Sequence, residues 1–268
     1  MIKQVFLFLV ILGFSQLVLA EVQILNPVES ILDNGSSIQA GFISPNQTFE
    51  LIFSDNSGFG FEWDRLDIDT ESLPSGWKLV GIEITDTSLI AKIKVPKNVQ
   101  PNFYLLNLAF SNSKQPSIKE SINVQVVVKQ NLLDVSFARQ SEESYSVVGG
   151  QVLYKAVISN SSIAPHELKL VSTLPSNWFI EKNLTVKPNS NLEQDLIVVP
   201  QVYGKTNFSF QADSLIEGVV IKTFSSELNV RPTLKGKFAS TFSGFPFFTF
   251  SLLPFQLIES FISLVIPA

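Results

Sequence analysis

The residues that could do chemistry are few. His166 is the single histidine in 268 residues, and there is no cysteine. A Cys–His pair or a His-rich metal site cannot be built from that inventory. No Ser–His–Asp set is legible around His166, which follows Pro165 at a strand start and reads as a loop or surface residue. No glycine-rich phosphate loop occurs either. The best metal-ligand pattern is Asp64, Asp67, Asp69 and Glu71, whose alternation resembles the opening of a calcium loop. The glycine of such a loop is missing, and Lys78 stands where the closing bidentate Glu belongs. On a strand Asp67, Asp69 and Glu71 share one face, so a solvated sheet face is expected there, and no metal. Phe59, Phe61 and Trp63 also alternate onto one face. Such a stripe either stacks on sugar rings or lines a core, and the core is expected. Five Asn-x-Ser/Thr sequons, at Asn34, Asn46, Asn160, Asn183 and Asn207, are candidate glycan acceptors in a secreted chain. No enzyme and no cofactor are expected.

These residues sit on a doubled framework. Leu73-Pro74-Ser75-Gly76-Trp77 returns 101 residues later as Leu174-Pro175-Ser176-Asn177-Trp178. Each copy precedes a strand-like stretch ending in Val-Pro, at Val95-Pro96 and Val199-Pro200. A repeat at that spacing implies two copies of one module the size of an Ig-like sandwich. Proline fixes φ and withholds an N–H, so Leu-Pro ends a strand and turns the chain. Tryptophan brings the largest apolar surface of any side chain, so Trp77 and Trp178 are expected to anchor the two cores.

Residues 22–130 read as short strands of period two, and 133–233 repeat the scheme. Asn34-Gly35, Asp55-Asn56-Ser57-Gly58 and Gly149-Gly150 supply turn chemistry between them. The fold class is therefore all-β: two tandem Ig-like antiparallel β-sandwiches over residues 21–130 and 131–234. Residues 1–20 read as a secretory signal helix, with Lys3, an apolar run from Val5 to Leu12, and Val18-Leu19-Ala20 before a cut at Glu21; the apolar run is short for an uncleaved anchor, so cleavage is expected. Net charge is −5 with no basic run, which speaks against nucleic acid as a partner.

The second module resembles a known group. The order of Leu174-Pro175-Ser176-Asn177-Trp178, Val186-Lys187-Pro188-Asn189-Ser190 and Leu196-Ile197-Val198-Val199-Pro200 is similar to that of the Ig-like domains associated with alpha-galactosidases, and of the CARDB-like modules of archaeal S-layer-type and bacterial surface proteins. The resemblance covers about 133–230, and 22–129 more loosely, because the first module lacks the Lys-Pro-Asn turn. It implies an Ig-like accessory module and names no ligand.

Residues 235–268 change character. After Lys237 the only charge is Glu259. Phe247, Phe248, Phe250, Phe255, Leu257, Ile258, Phe261, Ile262 and Val265 make the tail apolar. As one helix, 246–267 would span roughly 33 Å, enough for a bilayer core. Pro254 and Glu259 argue against a simple span, so a hydrophobic, amphipathic helical tail associated with membrane is expected. The function expected is that of a secreted, membrane-tethered cell-envelope protein on the extracellular face. Its role is structural or adhesive, toward other envelope proteins or glycans. The alternative is a carbohydrate- or ligand-binding accessory subunit of a surface enzyme or transporter.

Overall fold

The computed structural model describes residues 21–58, 60–71, 73–140, 145–232 and Ile258. The predicted signal helix and, apart from Ile258, the predicted tail lie outside the described residues. Between 21 and 232 every regular element described is a β-strand, so the chain is all-β. It divides into two compact units. The first holds the described residues up to Leu132 together with Ser162–Ala164, and the second holds the others.

The first unit runs β1 (Val22–Asn26), β2 (Ser30–Leu32), β3 (Ser37–Ile43), β4 (Thr48–Ser54), β5 (Arg65–Ile68), β6 (Lys78–Ile84), β7 (Ser88–Lys94), β8 (Asn102–Asn112) and β9 (Gln115–Val128). One sheet has the order β2-β1-β4-β7-β6, the other β3-β9-β8-β5. Their inward residues alternate with exposed ones, as period two requires. Phe49, Leu51 and Phe53 of β4, Leu89, Ala91 and Ile93 of β7, and Leu106, Leu108 and Phe110 of β8 are all fully buried in one core.

The second unit runs β10 (Leu133–Arg139), β11 (Ser146–Val147), β12 (Val152–Asn160), β13 (His166–Ser172), β14 (Lys182–Val186), β15 (Ser190–Val198), β16 (Gly204–Ser214) and β17 (Val220–Arg231). Its sheets have the orders β10-β12-β15 and β11-β17-β16-β13-β14. Tyr154, Phe210 and Phe208 meet edge-on at its centre, with ring centroids 5.2–5.7 Å apart, a geometry that suits the ring quadrupoles.

The expectation of wholly antiparallel sheets is corrected at one edge of each unit. β3 pairs parallel with β9, and β11 pairs parallel with β17. Parallel neighbours cannot be joined by a hairpin, so each pair unites an early strand with the last strand of its unit.

The repeated Leu-Pro turn keeps one hydrogen bond and changes its backbone. Trp77 N–H donates to Pro74 O at 2.9 Å, and Trp178 N–H to Pro175 O at 2.8 Å. Gly76 stands at φ +82°, as the third residue of a type II turn requires. A Cβ there would meet Pro96 Cγ at 3.3 Å. Asn177, its counterpart, is not at positive φ. In that copy Phe179 N–H also reaches Pro175 O, at 3.2 Å. Both tryptophans are buried, at 5% and 7% exposure.

The two modules then part. β6 and β14 each follow the tryptophan and precede the strand that leads to Val-Pro. β6 pairs with β7 through a tight connection closed by Thr85 N–H to Ser88 O at 2.8 Å. β14 pairs instead with β13, in the opposite sheet. At the corner between β14 and β15, Pro188 has no N–H to offer and Asn189 takes φ +46°. The buried amide of Asn160 donates to Val186 O at 3.2 Å and to Lys187 O at 3.0 Å, holding the corner open. The second module therefore does not repeat the scheme of the first throughout.

Replacing Trp178 by Ala should destabilise the second unit by about 3–5 kcal/mol, and Trp77→Ala should do the same to the first. Denaturant unfolding followed by hydrogen exchange assigns each loss to its unit. A loss below about 1 kcal/mol at both positions would remove the tryptophans from the role of anchors.

Candidate functional site

The structure scatters most of the residues with chemical promise. Asp64 is tied to Ser113: its Oδ1 accepts from the backbone N–H at 2.7 Å, and its Oδ2 from the hydroxyl. Those bonds hold its carboxyl below the usual carboxylate range. Asp69 Oδ1 accepts from Glu71 N–H at 3.0 Å, a local turn contact. Asp67 stands exposed on β5 opposite Ala109. Among the described residues no three His, Cys, Asp or Glu side chains gather into a group that could hold a metal. The aromatic pair Phe61 and Trp63 meets edge-on at 5.1 Å. Trp63 is 1% exposed, and its indole N–H donates to Glu21 O at 3.1 Å. Phe59 lies outside the described residues.

His166 corrects the expectation of a loop or surface residue. It opens β13 on the inward face and is 1% exposed. Its Nε2 and Ser214 Oγ share a hydrogen bond of 2.9 Å, and Glu217 N–H donates to the same Oγ at 3.0 Å. Burial lowers the imidazole pKa, against a smaller raising effect of Glu217 and Glu167. The alternation His166, Leu168, Leu170 carried the signal, since it puts His166 in phase with the apolar face.

Glu120 is a second buried ionisable group, and sequence reasoning missed it. It falls in register with Ile122, Val124 and Val126 on the inner face of β9. It is 7% exposed, and its Oε2 has no hydrogen-bond partner. Burial, with the neighbouring Asp33 charge behind it, raises its pKa.

The five sequon asparagines fall into different settings. Asn160 is 1% exposed, and its amide nitrogen, the atom a glycan would occupy, makes the two corner bonds described above. Asn46 is half-buried in a turn at φ +65°. Asn34 is exposed, and its Oδ1 accepts from Ser121 N–H at 2.9 Å. Asn183 and Asn207 are exposed on β14 and β16, on the outer face of one five-stranded sheet.

That outer face is the candidate site. On β16, Asn207, Ser209, Gln211 and Asp213 alternate with the inward Phe208, Phe210 and Ala212. Register sets Asn207 opposite Glu227 and Ser209 opposite Ser225 on β17, and Lys169 opposite both Asp213 and Asn183. Thr173 Oγ1 accepts from Ser209 N–H at 2.9 Å. A shallow groove of about 500 Å³ runs beside Thr173, Asn207, Ser209, Ser225 and Glu227. Short hydroxyls and amides can hydrogen-bond a polar ligand or carry a glycan. Nothing among them activates a nucleophile.

No protein-family model matches the chain, and no curated protein matches it. Among solved structures it is similar to a protein of unknown function from Porphyromonas gingivalis W83, at 14% identity and TM-score 0.27, over 70% of this chain and 94% of that one. It is similar to the D00-D0 domain of Intimin, at 12% identity and TM-score 0.26, over 78% and 96%. It is also similar to the C-terminal domain of the Streptococcus agalactiae AgI/II polypeptide BspA, at 8% identity and TM-score 0.30, over 78% and 99%. Likenesses at these TM-scores carry no conclusion about this chain.

The two buried ionisable groups should act on stability with opposite sign. His166 has a lowered folded pKa, so its contribution is fully present above about pH 6.5, the unfolded value, and is lost as pH falls below it. Hydrogen exchange of the second unit between pH 8 and pH 5 should show that loss, and His166→Gln should flatten it. Glu120 has a raised folded pKa, so the folded first unit loses stability as pH rises above about 4.5. Glu120→Gln should stabilise that unit by about 1 kcal/mol at neutral pH and by nothing at pH 3, as read by thermal melting.

Proposed function

We propose that this chain is a secreted, membrane-tethered protein of the cell envelope, built as two tandem Ig-like β-sandwiches, with a structural or adhesive role. The observation that carries the reading is the outer face of the five-stranded sheet in the second unit. It is paved with short polar side chains and presents two sequon asparagines, Asn183 and Asn207, to solvent. A rigid β-scaffold with a hydrogen-bonding face suits contact with other envelope proteins or glycans. It supplies no group for turnover. The sandwich reading is supported by two sheets per unit around one core. The alternative of a sugar-binding accessory subunit loses its aromatic platform at Trp63, which is buried.

The tether follows from sequence. Among the described residues the last strand ends at Arg231, and the sequence beyond it carries more than a dozen large apolar side chains. Exposed to water they would form a patch far larger than soluble monomers carry. Lipid is the simplest burial site. The envelope placement follows from Lys3, the apolar run and Ala20 at the start of the chain.

Fractionation with and without detergent tests the tether. Full-length protein should partition with membranes, and a form ending at 238 should be soluble with both units folded. Full-length protein that stays monodisperse without detergent would end the anchor reading. Intact mass in the native host should fall on Asn183→Gln or Asn207→Gln and stay unchanged on Asn160→Gln.

A further inference from the structure

The strand switch of β14 has left an edge uncovered. In the first unit β7 lies between β4 and β6. In the second unit the corresponding strand β15 pairs with β12 on one side and, among the described residues, with no strand on the other. We propose that the N-terminal half of β15, Ser190 to Gln194, is a docking edge for an extended segment of a partner protein. That segment adds as an antiparallel strand, apolar at alternate positions and bearing Lys or Arg where it faces Glu193. This deepens the protein-interaction reading above and rests on it, but not on the membrane tether.

The backbone defines how much of the edge is open. Val199 N–H donates to Trp178 O at 2.8 Å, and Lys182 Nζ donates to Asp195 O at 2.8 Å, joined there by Gln194 Nε2 at 2.9 Å. The chain from 178 to 182 therefore closes the C-terminal half of β15 before it leaves for the other sheet. Alternate residues of a strand address the same edge, so Asn191 and Glu193 present their N–H and C=O groups to the same side as Asp195 and Val199. Lysine at an edge discourages strand addition, and Lys182 guards only the half that it reaches.

Packing and charge say what fits. On β7 the inward Leu89, Ala91 and Ile93 are fully buried, with Leu79 and Ile82 of β6 packed against that core. On β15, Leu196 and Val198 are fully or nearly fully buried, whereas Leu192 remains half-buried at the core rim. An apolar side chain from an added strand would cover it. In the first unit Lys92 on the middle strand lies 3.5 Å from Glu50 of β4 and 2.7 Å from Glu83 of β6. The second unit carries the reversed pattern. Glu193 on β15 lies 2.7 Å from Lys155 of β12, and Asp195 pairs in register with Lys155. By that pattern the open flank takes a cation. A second copy of β15 fits poorly. Antiparallel pairing about a twofold axis sets Glu193 and Asp195 against each other, against themselves or against Asn191, and like charges directly opposite are unfavourable.

The probe is a fluorescent peptide with the β12 sequence, residues 152–160, which already satisfies β15 at its other edge. Titrated with full-length protein in mild detergent, it should bind saturably with a Kd of the order of 10 µM. The amides of Asn191 and Glu193 should exchange fast in the free protein and slowly in the complex. Glu193→Lys should weaken binding at least about tenfold, and a peptide with glutamate in place of Lys155 should restore it. A peptide with proline in place of Val157 should not bind. Circular dichroism checks that the Glu193→Lys protein is folded. Absence of saturable binding up to about 1 mM would overturn the proposal. So would slow exchange at Asn191 and Glu193 before peptide is added, whether concentration-dependent, which would name a second copy, or concentration-independent, which would name another part of this chain. Membrane partitioning of the same preparation is read separately, so loss of the tether and loss of the edge are distinguishable.

Discussion

Each unit depends on a tryptophan held at the end of a proline turn. The Trp77 N–H and Pro74 O bond, and its equivalent at Trp178 and Pro175, stop the chain after one strand and aim the indole inward. Around Trp77 gather Phe49 at 6.1 Å and Tyr104 at 5.2 Å. Phe179, beside Trp178, meets Phe210 at 5.2 Å. Burying an indole contributes more than any one hydrogen bond of the sheets that surround it. The turn therefore registers the two sheets against one core, and the short strands need not do so by themselves.

Where the next strand goes is a local choice made after that anchor. β6 and β14 leave equivalent points and join opposite sheets. Both solutions pack an apolar side chain, Leu79 or Val186, against the same kind of core. The decision lies in the connection that follows. A tight turn at 85–87 favours the hairpin of β6 with β7. In the second unit the Lys187-Pro188-Asn189 corner, bonded by Asn160, carries the chain from β14 in one sheet to β15 in the other.

Much of the fold was legible in the sequence because alternation is a strong signal where one face is buried. β4, β8, β12 and β16 show it plainly, and the all-β class follows from them. The side on which β14 pairs was not legible, because a five-residue strand of period two suits either sheet and only the corner discriminates. The parallel edges were hidden for a related reason. β11 is two residues long, and its partner is the last strand of the unit. The candidate face was partly legible: the sequons of Asn183 and Asn207 can be read from sequence, but their sharing of one surface is a matter of register. Asn160, His166 and Glu120 show the converse. Each is polar by type and inward by phase, and phase decides where the side chain points.

The parallel edges also govern the order in which a unit can be completed. β3 follows soon after the start of the first unit, yet its partner β9 is the last strand made. In the second unit β11 waits in the same way for β17. Contacts so distant along the chain bring their reward only after the intervening loop has been closed, which makes folding slow and all-or-none. A chain emerging from its N-terminus cannot close either unit piecemeal. The parallel edge of each unit closes only when its last strand is made, and that strand then acts as a latch across the whole length of the module.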